Sequence, residues 1–556
     1  MARAQNGAAT CLEYILSISQ RFSVIATATL LLFIVGCDSA ISGSSFENQP
    51  PDTQLSVQDE SLLDNLGEDN RLTSTVHVSW SGDDPDGFVQ GYEVRFYDQG
   101  ESGVDTAWLF TQRTDSLFLL PIRPGLKVSD VVFEVRAVDN EGAVDPTPAS
   151  TIFPVKNSPP ELKFGLFDLP PDTTFNVMSL GWVASDPDGD DNLSHIDISF
   201  NDSTSFVALP ADVDFATFVT DTFEPGFSGV VEARVFLGRG FESTSILIPG
   251  LKINDTNILY MRSVDLTDTT STRIELSWYV KAKTAEVLYV NDYRRSTNTQ
   301  LTAFHLTLLK EFLPLGMPVD TWDITTPHVT GSTGNTPRST LLPPNAQPTL
   351  QRFLASYRFI YWVTSNSTDR IQGNNLPFAS QVMDLFFSNG GKLMVHSPIG
   401  IPPDPNQIFD NAAALMMPLT TMIIFPDSLR QTLRMSTGSL ITAGGLTLPS
   451  TSEALPELKS NAFLVTTLPY ITTGANIIPI YEAEYRYVTR VGSRQGPWLG
   501  SSVVASISAD QRVGLFALPL INDQSSAPLL IGADDSAETP IRALKLILES
   551  LGFPQR

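Results

Sequence analysis

Residues 76–87, VHVSWSGDDPDG, decide the fold of the first half of the chain, and they return as residues 178–189, MSLGWVASDPDG. In each copy a Trp, at Trp80 and Trp182, stands four residues before the word Asp-Pro-Asp-Gly. The two copies therefore mark an internal repeat, in which each copy is one structural module.

The motifs that flank each word repeat as well. Asn-x-Pro-Pro lies upstream, beginning at Asn48 and Asn157, and Arg-x-Val-Asp lies downstream, beginning at Arg136 and Arg262. The downstream motifs are further apart than the central words, so the second copy carries an insertion. We place this insertion around residues 202–229.

Both copies have the pattern of short β-strands. In the first copy, residues 76–80, 91–97 and 131–136 alternate apolar and polar side chains between Gly, Pro and Asp, which predicts the strands of a β-sandwich. The early Trp, the Tyr-Glu-Val-Arg strand and the Phe-Glu-Val-Arg-Ala-Val-Asp strand resemble a fibronectin type III (Ig-like) module of the kind found in bacterial surface lipoproteins. The resemblance implies one sandwich over residues 48–156 and a second, with the insertion, over residues 157–281.

The C-terminal part, residues 282–556, alternates predicted strands with predicted helices. The first elements are a strand at 286–291, a helix at 301–312, a strand at 358–364, a helix at 378–387 and a strand at 392–396. Such alternation predicts a parallel sheet with right-handed crossovers, and hence a doubly wound, three-layer α/β domain. The layout resembles the class I glutamine amidotransferase-like (flavodoxin-like) superfamily, in the degenerate form appended to bacterial secreted proteins.

The ends of the predicted strands carry polar side chains. In a doubly wound fold, ligands bind beyond the carboxyl ends of the strands. The candidate ligand-binding residues are Asn291, Asp292, Asn366, His396 and Ser397.

The catalytic residues of the amidotransferase-like family are replaced in this chain. Active members carry a Cys nucleophile at a sharp elbow after a strand, and a late strand that ends in His-Pro-Glu. Here residues 396–398 are His-Ser-Pro and residues 518–520 are Leu-Pro-Leu. Ser397 would need a base within hydrogen-bond reach, and the adjacent His396 points to the opposite face of its strand. The resemblance thus implies a domain without amidotransferase activity and without catalytic residues of that type.

The second Asp-Pro-Asp-Gly word begins an acidic loop. Asp186, Asp188 and Asp190 occupy positions 1, 3 and 5 of an EF-hand-like count, and Asp197 occupies position 12. Closely spaced carboxylates supply the hard oxygen ligands that Ca²⁺ prefers. Position 6, however, is Asp191 instead of Gly, and Asp-Pro and Asp-Gly pairs are also ordinary turn residues. A calcium site and a metal-free turn both stay open, and no other cofactor is expected.

The N-terminus has the pattern of a lipoprotein signal peptide. An uncharged run at residues 22–36 follows the basic Arg21, as a basic region precedes the apolar core of a secretory signal. The run ends in Ile-Val-Gly before Cys37, which resembles the lipobox of bacterial lipoproteins and implies a diacylglycerol on the Cys37 thiol. We therefore expect a signal peptide over 1–36 and a lipidated tether over 37–47.

These features predict a protein of the bacterial cell envelope. It would lie outside the cytoplasm, held to a membrane by its N-terminal lipid. Asp38 follows the lipidated position, and an Asp there favours the inner membrane in some bacteria, but the rule varies between lineages. The membrane therefore stays open, with the outer membrane or the cell surface preferred to the inner membrane.

Composition narrows the classes of function. The chain has 35 Lys and Arg against 61 Asp and Glu, a net charge of −26, which disfavours a nucleic-acid partner. Its two Cys and five His form neither a disulfide framework nor a zinc-hydrolase motif. Two hypotheses remain. The first is a non-enzymatic lipoprotein that binds a protein or glycan or has a structural role, and the alternative is a hydrolase with a cryptic Ser or carboxylate site in the C-terminal domain.

Overall fold

The computed structural model describes most of the chain from residue 47 onward. The described residues are 47–56, 72–73, 75–100, 106–120, 122–123, 125–165, 168–325, 347–365, 375–400, 421–422, 431–489, 494–522 and 527–556. The chain divides into two compact units. The first is Met1–Glu60, His77–Leu117 and Val132–Phe153, and the second is Ser61–Val76, Phe118–Val131 and Pro154–Arg556.

The first module is a sandwich of two β-sheets. Its strands are β1 (Asp52–Ser56), β2 (Leu72–Thr73), β3 (Thr75–Asp83), β4 (Val89–Asp98), β5 (Leu109–Thr111), β6 (Asp115–Leu119), β7 (Val128–Asp139) and β8 (Ala149–Lys156). They pair in the orders β1-β3-β6 and β2-β8-β7-β4-β5. Trp80 on β3 is 3% exposed and packs against Tyr92 and Phe133 of the other sheet, with ring centroids 6.2 and 6.3 Å away. The prediction of a β-sandwich around an early Trp is confirmed.

The second module is a larger sandwich of the same kind. Its strands are β9 (Glu161–Phe164), β10 (Thr173–Thr174), β11 (Val177–Ser185), β12 (Leu193–Phe200), β13 (Val207–Pro210), β14 (Phe215–Val219), β15 (Gly229–Leu237), β16 (Glu242–Ile253), β17 (Asp255–Asp265) and β18 (Ile274–Val280). A 3₁₀ turn at Asp190–Asn192 precedes β12. The sheet orders are β16-β15-β14-β11-β9 and β10-β18-β17-β12-β13. Trp182 and Trp278 lie buried in the core.

The two modules share one strand order apart from a hairpin. β9, β11 and β14 pair as β1, β3 and β6 do, and the other sheet corresponds strand for strand. The extra elements are β15 and β16, so the insertion is this hairpin and does not lie at residues 202–229. In that range β13 and β14 have counterparts in the first module, namely β5 and β6. The hairpin joins the open edge of β14, whose unpaired N–H and C=O groups accept a further strand.

The C-terminal region contains a ten-stranded mixed sheet. Its first elements are β19 (Val287–Asp292), α1 (Asn298–Phe312), β20 (Asp320–Asp323), α2 (Gln347–Ala355), β21 (Phe359–Thr364), α3 (Leu376–Ala379), α4 (Asp384–Ser388) and β22 (Lys392–His396). The later elements are β23 (Thr421–Met422), β24 (Gln431–Ser436), β25 (Leu440–Thr442), β26 (Leu458–Ser460), β27 (Leu464–Val465), β28 (Ile471–Thr472), β29 (Ile477–Ala483), β30 (Arg486–Thr489), β31 (Gln495–Pro497), β32 (Val503–Ser508), β33 (Val513–Phe516), β34 (Leu530–Gly532) and α5 (Thr539–Ser550). The large sheet has the order β20-β19-β21-β22-β33-β32-β29-β25-β26-β34.

Only one end of this sheet is parallel. The five strands from β20 to β33 in the sheet order run parallel to one another, whereas the pairs from β33-β32 to β26-β34 are antiparallel. After His396 the described chain contains twelve strands and one helix. A doubly wound α/β domain over residues 282–556 is therefore not supported. The sequence pattern shows where strands lie but not their direction, and antiparallel neighbours need no crossover helix.

Helices cover both faces of the parallel end. Tyr289 on β19 belongs to a core cluster with residues of α1 and α5, whereas the next residue, Val290, belongs to a cluster with α2, α3 and α4. This division follows from the period of two in a β-strand. Tyr361 and Trp362 on β21 are fully buried.

The second module and the C-terminal region pack together within the second unit. Lys283, at the predicted boundary, is 5% exposed, and the backbone N and Oγ1 of Thr284 both donate to the Asp320 carboxylate. Phe175 of the second module stacks on Phe353 of α2, with ring centroids 4.8 Å apart. The boundary at residues 281–284 is thus part of a packed interface.

Candidate functional site

Neighbouring parallel strands place most of the predicted site residues at one edge of the sheet. Asn291 and Asp292 are the last two residues of β19. His396 is the last residue of β22, and Ser397 comes directly after it. Strand β21 lies between β19 and β22 and pairs with both. Their side chains are 5%, 0%, 0% and 0% exposed in that order. The fifth predicted residue, Asn366, lies outside the described residues. The structure therefore brings four of the five predicted residues to the carboxyl ends of two parallel strands and shows all four to be buried.

The Asp292 carboxylate is surrounded by donors. Asn375 donates from its backbone N at 2.6 Å and from Nδ2 at 2.8 Å, Trp362 Nε1 donates at 3.4 Å, and the Arg294 guanidinium lies 3.6 Å away. Burial raises the pKa of Asp292 to about 7, against the lowering effect of these neighbours. Both oxygens are used inside the fold, where they fix the segment at Asn375 to the end of β19.

Asn291 is used in a similar way. Its Nδ2 donates to Asp323 Oδ2 at 3.0 Å, and its Oδ1 accepts from the backbone N of Tyr293 at 3.3 Å. The amide therefore joins the ends of β19 and β20 and shapes the turn that follows β19.

His305, Tyr361 and His396 form a buried chain of hydrogen bonds. His396 Nε2 lies 2.9 Å from the Leu518 carbonyl oxygen, His396 Nδ1 lies 3.2 Å from His305 Nε2, and His305 Nδ1 lies 2.9 Å from the Tyr361 hydroxyl. A carbonyl oxygen only accepts, so His396 donates from Nε2 and accepts at Nδ1. His305 must then donate from Nε2 and accept at Nδ1, and Tyr361 donates. The contacts fix one neutral tautomer for each ring.

His396 and Ser397 do not form a nucleophile and base pair. Burial lowers the pKa of His396 to about 4, and burial together with the nearby His396 lowers the pKa of His305 well below its usual range. The Ser397 Oγ is buried and has no hydrogen-bond partner among the described residues. Because both ring nitrogens of His396 are bonded elsewhere, His396 does not act as the base that activates the Ser397 hydroxyl.

The partners of His396 were not predicted from the sequence. His305 lies in the predicted helix at 301–312 and Tyr361 in the predicted strand at 358–364, and no sequence pattern links either residue to His396. A signal was present: a His at helical spacing with Leu301 and Leu308 is buried, and a buried imidazole needs hydrogen-bond partners.

The acidic loop of the second module closes on the segment that leads into that module. Asp188 N donates to Asp186 Oδ1 at 2.8 Å, and Ser158 N donates to Asp188 Oδ2 at 2.6 Å. Asn157 Nδ2 donates to Asp265 Oδ2 at 2.5 Å. Asp186 and Asp188 are each 6% exposed, and Asp265 is 1% exposed. Three buried carboxylates thus belong to one cluster, which we call the acidic cluster.

Some oxygens of the acidic cluster lack a donor. Asp186 Oδ2, Asp188 Oδ1 and Asn157 Oδ1 are buried and have no hydrogen-bond partner among the described residues. Burial, together with the charges of Asp188, Asp265 and Asp190, raises the pKa of Asp186 to about 6. Within the described part of the chain, no group of three or more His, Cys, Asp or Glu side chains is arranged to hold a metal ion.

Asp197 lies apart from the acidic cluster. It belongs to β12, where Arg262 Nε donates to its Oδ2 at 2.8 Å and His195 Nε2 lies 3.3 Å from its Oδ1. The EF-hand-like count therefore fails at position 12. That count assumes a helix after the loop, whereas a strand follows here and pairs with β17, which carries Arg262. Asp190 is in contact with the acidic cluster, because its Oδ1 accepts a hydrogen bond from the backbone N of Asp186 at 3.1 Å.

The first module has a related but more open arrangement. Asn48 Nδ2 donates to Asp139 Oδ2 at 2.6 Å, as Asn157 does to its partner in the second module. Asp86, however, is exposed, and residues 88–90 are Phe-Val-Gln where the second module has Asp-Asp-Asn. The two loops therefore differ in burial and in the number of side-chain oxygens that could bind a metal ion.

Two cavities of the second unit lie away from the strand ends. One, of about 530 Å³, lies where the second module meets the C-terminal region, and Lys283, Tyr357 and Arg358 are among its lining residues. The other, of about 490 Å³, lies beside the acidic loop and is lined in part by Trp182 and Asp190. The second cavity gives solvent a route to the loop.

The predicted N-terminal features are not part of this geometry. The signal peptide, Cys37 and the tether as far as residue 46 lie outside the described residues. In the described ranges, no helix has both the length and the apolar character needed to cross a membrane.

Comparisons with known proteins return fibronectin type III modules. No protein-family model and no curated protein matches the chain. Among solved structures, the fibronectin(III)-like modules of Clostridium thermocellum CbhA match with 14% identity over 38% of this chain and 86% of that chain, at a TM-score of 0.15. A two-domain fibronectin type III segment of chicken tenascin matches with 12% identity over 42% of this chain and 99% of that chain, at a TM-score of 0.20. The FN1–FN3 domains of chicken CNTN1 match with 10% identity over 37% of this chain and 63% of that chain, at a TM-score of 0.13. The sandwich architecture itself follows from the strand pairing described above.

Proposed function

We propose that the chain is a lipoprotein of the bacterial cell envelope, anchored to a membrane by a lipid on Cys37, whose extracytoplasmic part has a binding or structural role without catalysis. The observation that carries the non-catalytic part is the environment of His396 and Ser397. Both residues are fully buried, and His396 uses both ring nitrogens for contacts inside the fold. A catalytic group must reach its substrate in a productive geometry.

Each part of the chain has a role in this proposal. The lipid and the tether over residues 37–47 hold the protein at the membrane. Two fibronectin type III-like sandwiches act as spacers, and the C-terminal region presents a surface to a protein or a glycan. The net charge of −26 disfavours nucleic acid as the partner.

The relation to the amidotransferase-like superfamily rests on the parallel end of the C-terminal sheet. The order β20-β19-β21-β22 with parallel pairing and helices on both faces supports it. The antiparallel strands that continue the sheet lie outside that pattern. At the position of the family's late catalytic residues, Leu518 and Leu520 are buried and apolar, so they neither transfer nor orient a proton.

The alternative, a cryptic hydrolase, is disfavoured by the same geometry. A Ser hydrolase needs an accessible nucleophile with a base in contact, whereas Ser397 is buried and its Oγ contacts no base in the described part of the chain. A carboxylate mechanism would need Asp292, whose two oxygens accept from Asn375 inside the fold.

An activity panel with matched variants tests the non-catalytic proposal. The purified mature protein should turn over no glutaminase, esterase or peptidase substrate above the blank, and Ser397→Ala should change nothing. Ser550→Ala is the control, because Ser550 is another buried serine whose Oγ has no partner among the described residues. Turnover that Ser397→Ala abolishes and Ser550→Ala retains, with both variants folded by circular dichroism, would establish the hydrolase instead.

A further inference from the structure

We propose that the acidic loop of the second module binds one Ca²⁺ ion, with Asp186 Oδ2, Asp188 Oδ1 and Asn157 Oδ1 as protein ligands. The site is independent of the proposed lipid anchor and of the C-terminal region. Only two of these three ligands are carboxylates, so the site does not require a group of three acidic or imidazole side chains.

The buried oxygens themselves point to a ligand. Asp186 and Asp188 are each more than nine-tenths buried, and each uses one oxygen for a backbone N–H, which leaves the other without a donor among the described residues. Asn157 likewise uses its Nδ2 and leaves its Oδ1. All three unpartnered atoms are acceptors. A buried acceptor without a partner is costly, and a cation bound among these three acceptors would remove that cost.

The ligand chemistry selects calcium over other metals. The three atoms are hard oxygens, two from carboxylates and one from an amide, and Ca²⁺ takes such ligands in a flexible shell of six to eight. Zinc and the softer transition metals favour His and Cys ligands, and neither Cys of this chain lies in the module. A cavity reaches the acidic loop at Asp190 and Asp191, next to the proposed ligands in the sequence.

The network around these ligands explains what the ion would stabilise. Ser158 N donates to Asp188, and Asn157 donates to Asp265 at the end of β17. A cation shared by Asp186, Asp188 and Asn157 would therefore tie the start of the module to its acidic loop. A ligand that binds only the folded state raises the unfolding temperature.

The first module should not provide a second site of this kind. Its loop leaves Asp86 exposed and has Phe88 and Gln90 where the second module has Asp190 and Asn192. We therefore expect a stoichiometry of one ion per chain.

Calorimetric titration of the purified, metal-stripped mature protein with CaCl₂ tests the proposal. One site per chain should appear, with a dissociation constant of about 10⁻⁴ to 10⁻³ M, the range of extracellular modules, and the unfolding temperature should rise with Ca²⁺ concentration. No heat and no thermal shift up to about ten times that range would overturn the proposal, whatever the variants do.

Two substitutions and a control locate the site. Asp188→Asn and Asp186→Asn should each weaken Ca²⁺ binding by about tenfold or more, because each removes a ligand charge. Asp212→Asn should leave binding unchanged, since Asp212 is an exposed carboxylate that lines the same cavity. Circular dichroism selects the variants that fold. Equal binding by the parent and a folded Asp186 or Asp188 variant would place the ion elsewhere and contradict the assignment.

Discussion

His305 and His396 are ionisable residues that serve as core residues. Each ring nitrogen has a partner, and the order of donation from Tyr361 through both rings to the Leu518 carbonyl requires both rings to be neutral. A proton on His396 Nδ1 would require His305 to accept at Nε2 and to donate from Nδ1 to the Tyr361 hydroxyl, so protonation would reverse the order of donation. Burial disfavours the protonated form of His396.

The stability of the fold should depend on pH through these histidines. The pKa of His396 is about 4 in the folded state against 6.5 for an ordinary His, so the unfolded state takes up the proton first as the pH falls. The contribution of His396 to folding stability should be fully present above pH 6.5 and should fall by up to about 1.4 kcal/mol per pH unit as the pH drops to 4. Urea denaturation between about pH 4.5 and 7.5 measures this slope, because that range covers most of the interval between the folded and the ordinary pKa of His396.

The raised pKa of Asp292 acts in the opposite direction. The pKa of Asp292 is about 7 in the folded state against an ordinary 3.8. Between these two pH values the folded state keeps a proton that the unfolded state has lost, so the folding stability falls as the pH rises. The difference between the parent and His396→Leu therefore isolates the histidine contribution. His396→Leu should have a shallower acid slope, and His77→Gln, a partly exposed surface His, should keep the slope of the parent. Identical slopes for the parent and His396→Leu would contradict the prediction.

The site could be predicted from the sequence only in part. Asn291, Asp292, His396 and Ser397 follow predicted parallel strands, and parallel strands share one carboxyl edge. The partners that decide what these residues do come from distant positions, namely His305, Tyr361, Asn375 and Leu518. No local pattern connects such positions, since side-chain pairing across a core depends on tertiary packing.

At the scale of elements, the repeat located the modules, but the inserted hairpin was misplaced. The alternation of apolar and polar residues predicted the strands of both sandwiches. The repeated motifs showed only that the insertion lies between Asp-Pro-Asp-Gly at 186–189 and Arg-x-Val-Asp at 262–265. The β15–β16 hairpin has a register shift between Val231 and Ala233. Opposite this shift, Gly250 adopts φ +93°, and a Cβ there would lie 2.6 Å from the Phe200 carbonyl oxygen.

Gly250→Ala should therefore destabilise the second module more than an ordinary glycine substitution. A left-handed conformation costs an Ala about 1–2 kcal/mol, and the contact with Phe200 adds to that cost. Gly226→Ala is the matched control, because Gly226 has φ +83° and open space around its Cβ position. Thermal or urea unfolding should show a loss for Gly250→Ala that exceeds the control by about 1 kcal/mol or more. Equal losses would mean that the hairpin does not approach Phe200 closely.

The direction of the late strands could not be predicted from their composition. Strands form at Arg486–Thr489, Val503–Ser508 and Val513–Phe516. The pairs β24-β30, β29-β32 and β32-β33 are antiparallel, whereas β33 pairs parallel with β22. Alternation and β-branched residues report that a segment lies in a sheet. They carry no information about which neighbour it meets or in which direction, because that depends on the connections.

At the scale of the whole molecule, the second module and the C-terminal region act as one compact unit. The predicted boundary between the two lies at residues 281–282, but the neighbouring Lys283 is buried and donates to Thr222 Oγ1 at 3.1 Å. Lys281 Nζ donates to the Thr321 carbonyl oxygen. Long cationic side chains cover apolar surface with their stems, so Lys residues in a sequence do not by themselves mark an exposed segment.

Limited trypsin digestion should leave this boundary intact. The bonds after Lys281 and Lys283 lie in buried, hydrogen-bonded backbone, which a protease cannot bind without local unfolding. The bond after Arg113 is the comparison, since Arg113 is exposed between β5 and β6 and should be cut earlier. Mass spectrometry of the fragments identifies the sites. A stable fragment that begins at residue 282 or 284 under native conditions would contradict the packed interface.

The proposed lipid anchor on Cys37 can be measured by metabolic labelling of the protein with palmitate in a bacterial host. The chain has two Cys, Cys11 and Cys37, so each substitution serves as the control of the other. The parent and Cys11→Ser should incorporate the label and sediment with membranes, whereas Cys37→Ser should lose the label. Equal labelling of the parent and Cys37→Ser, or no label on the expressed parent, would contradict the lipoprotein account.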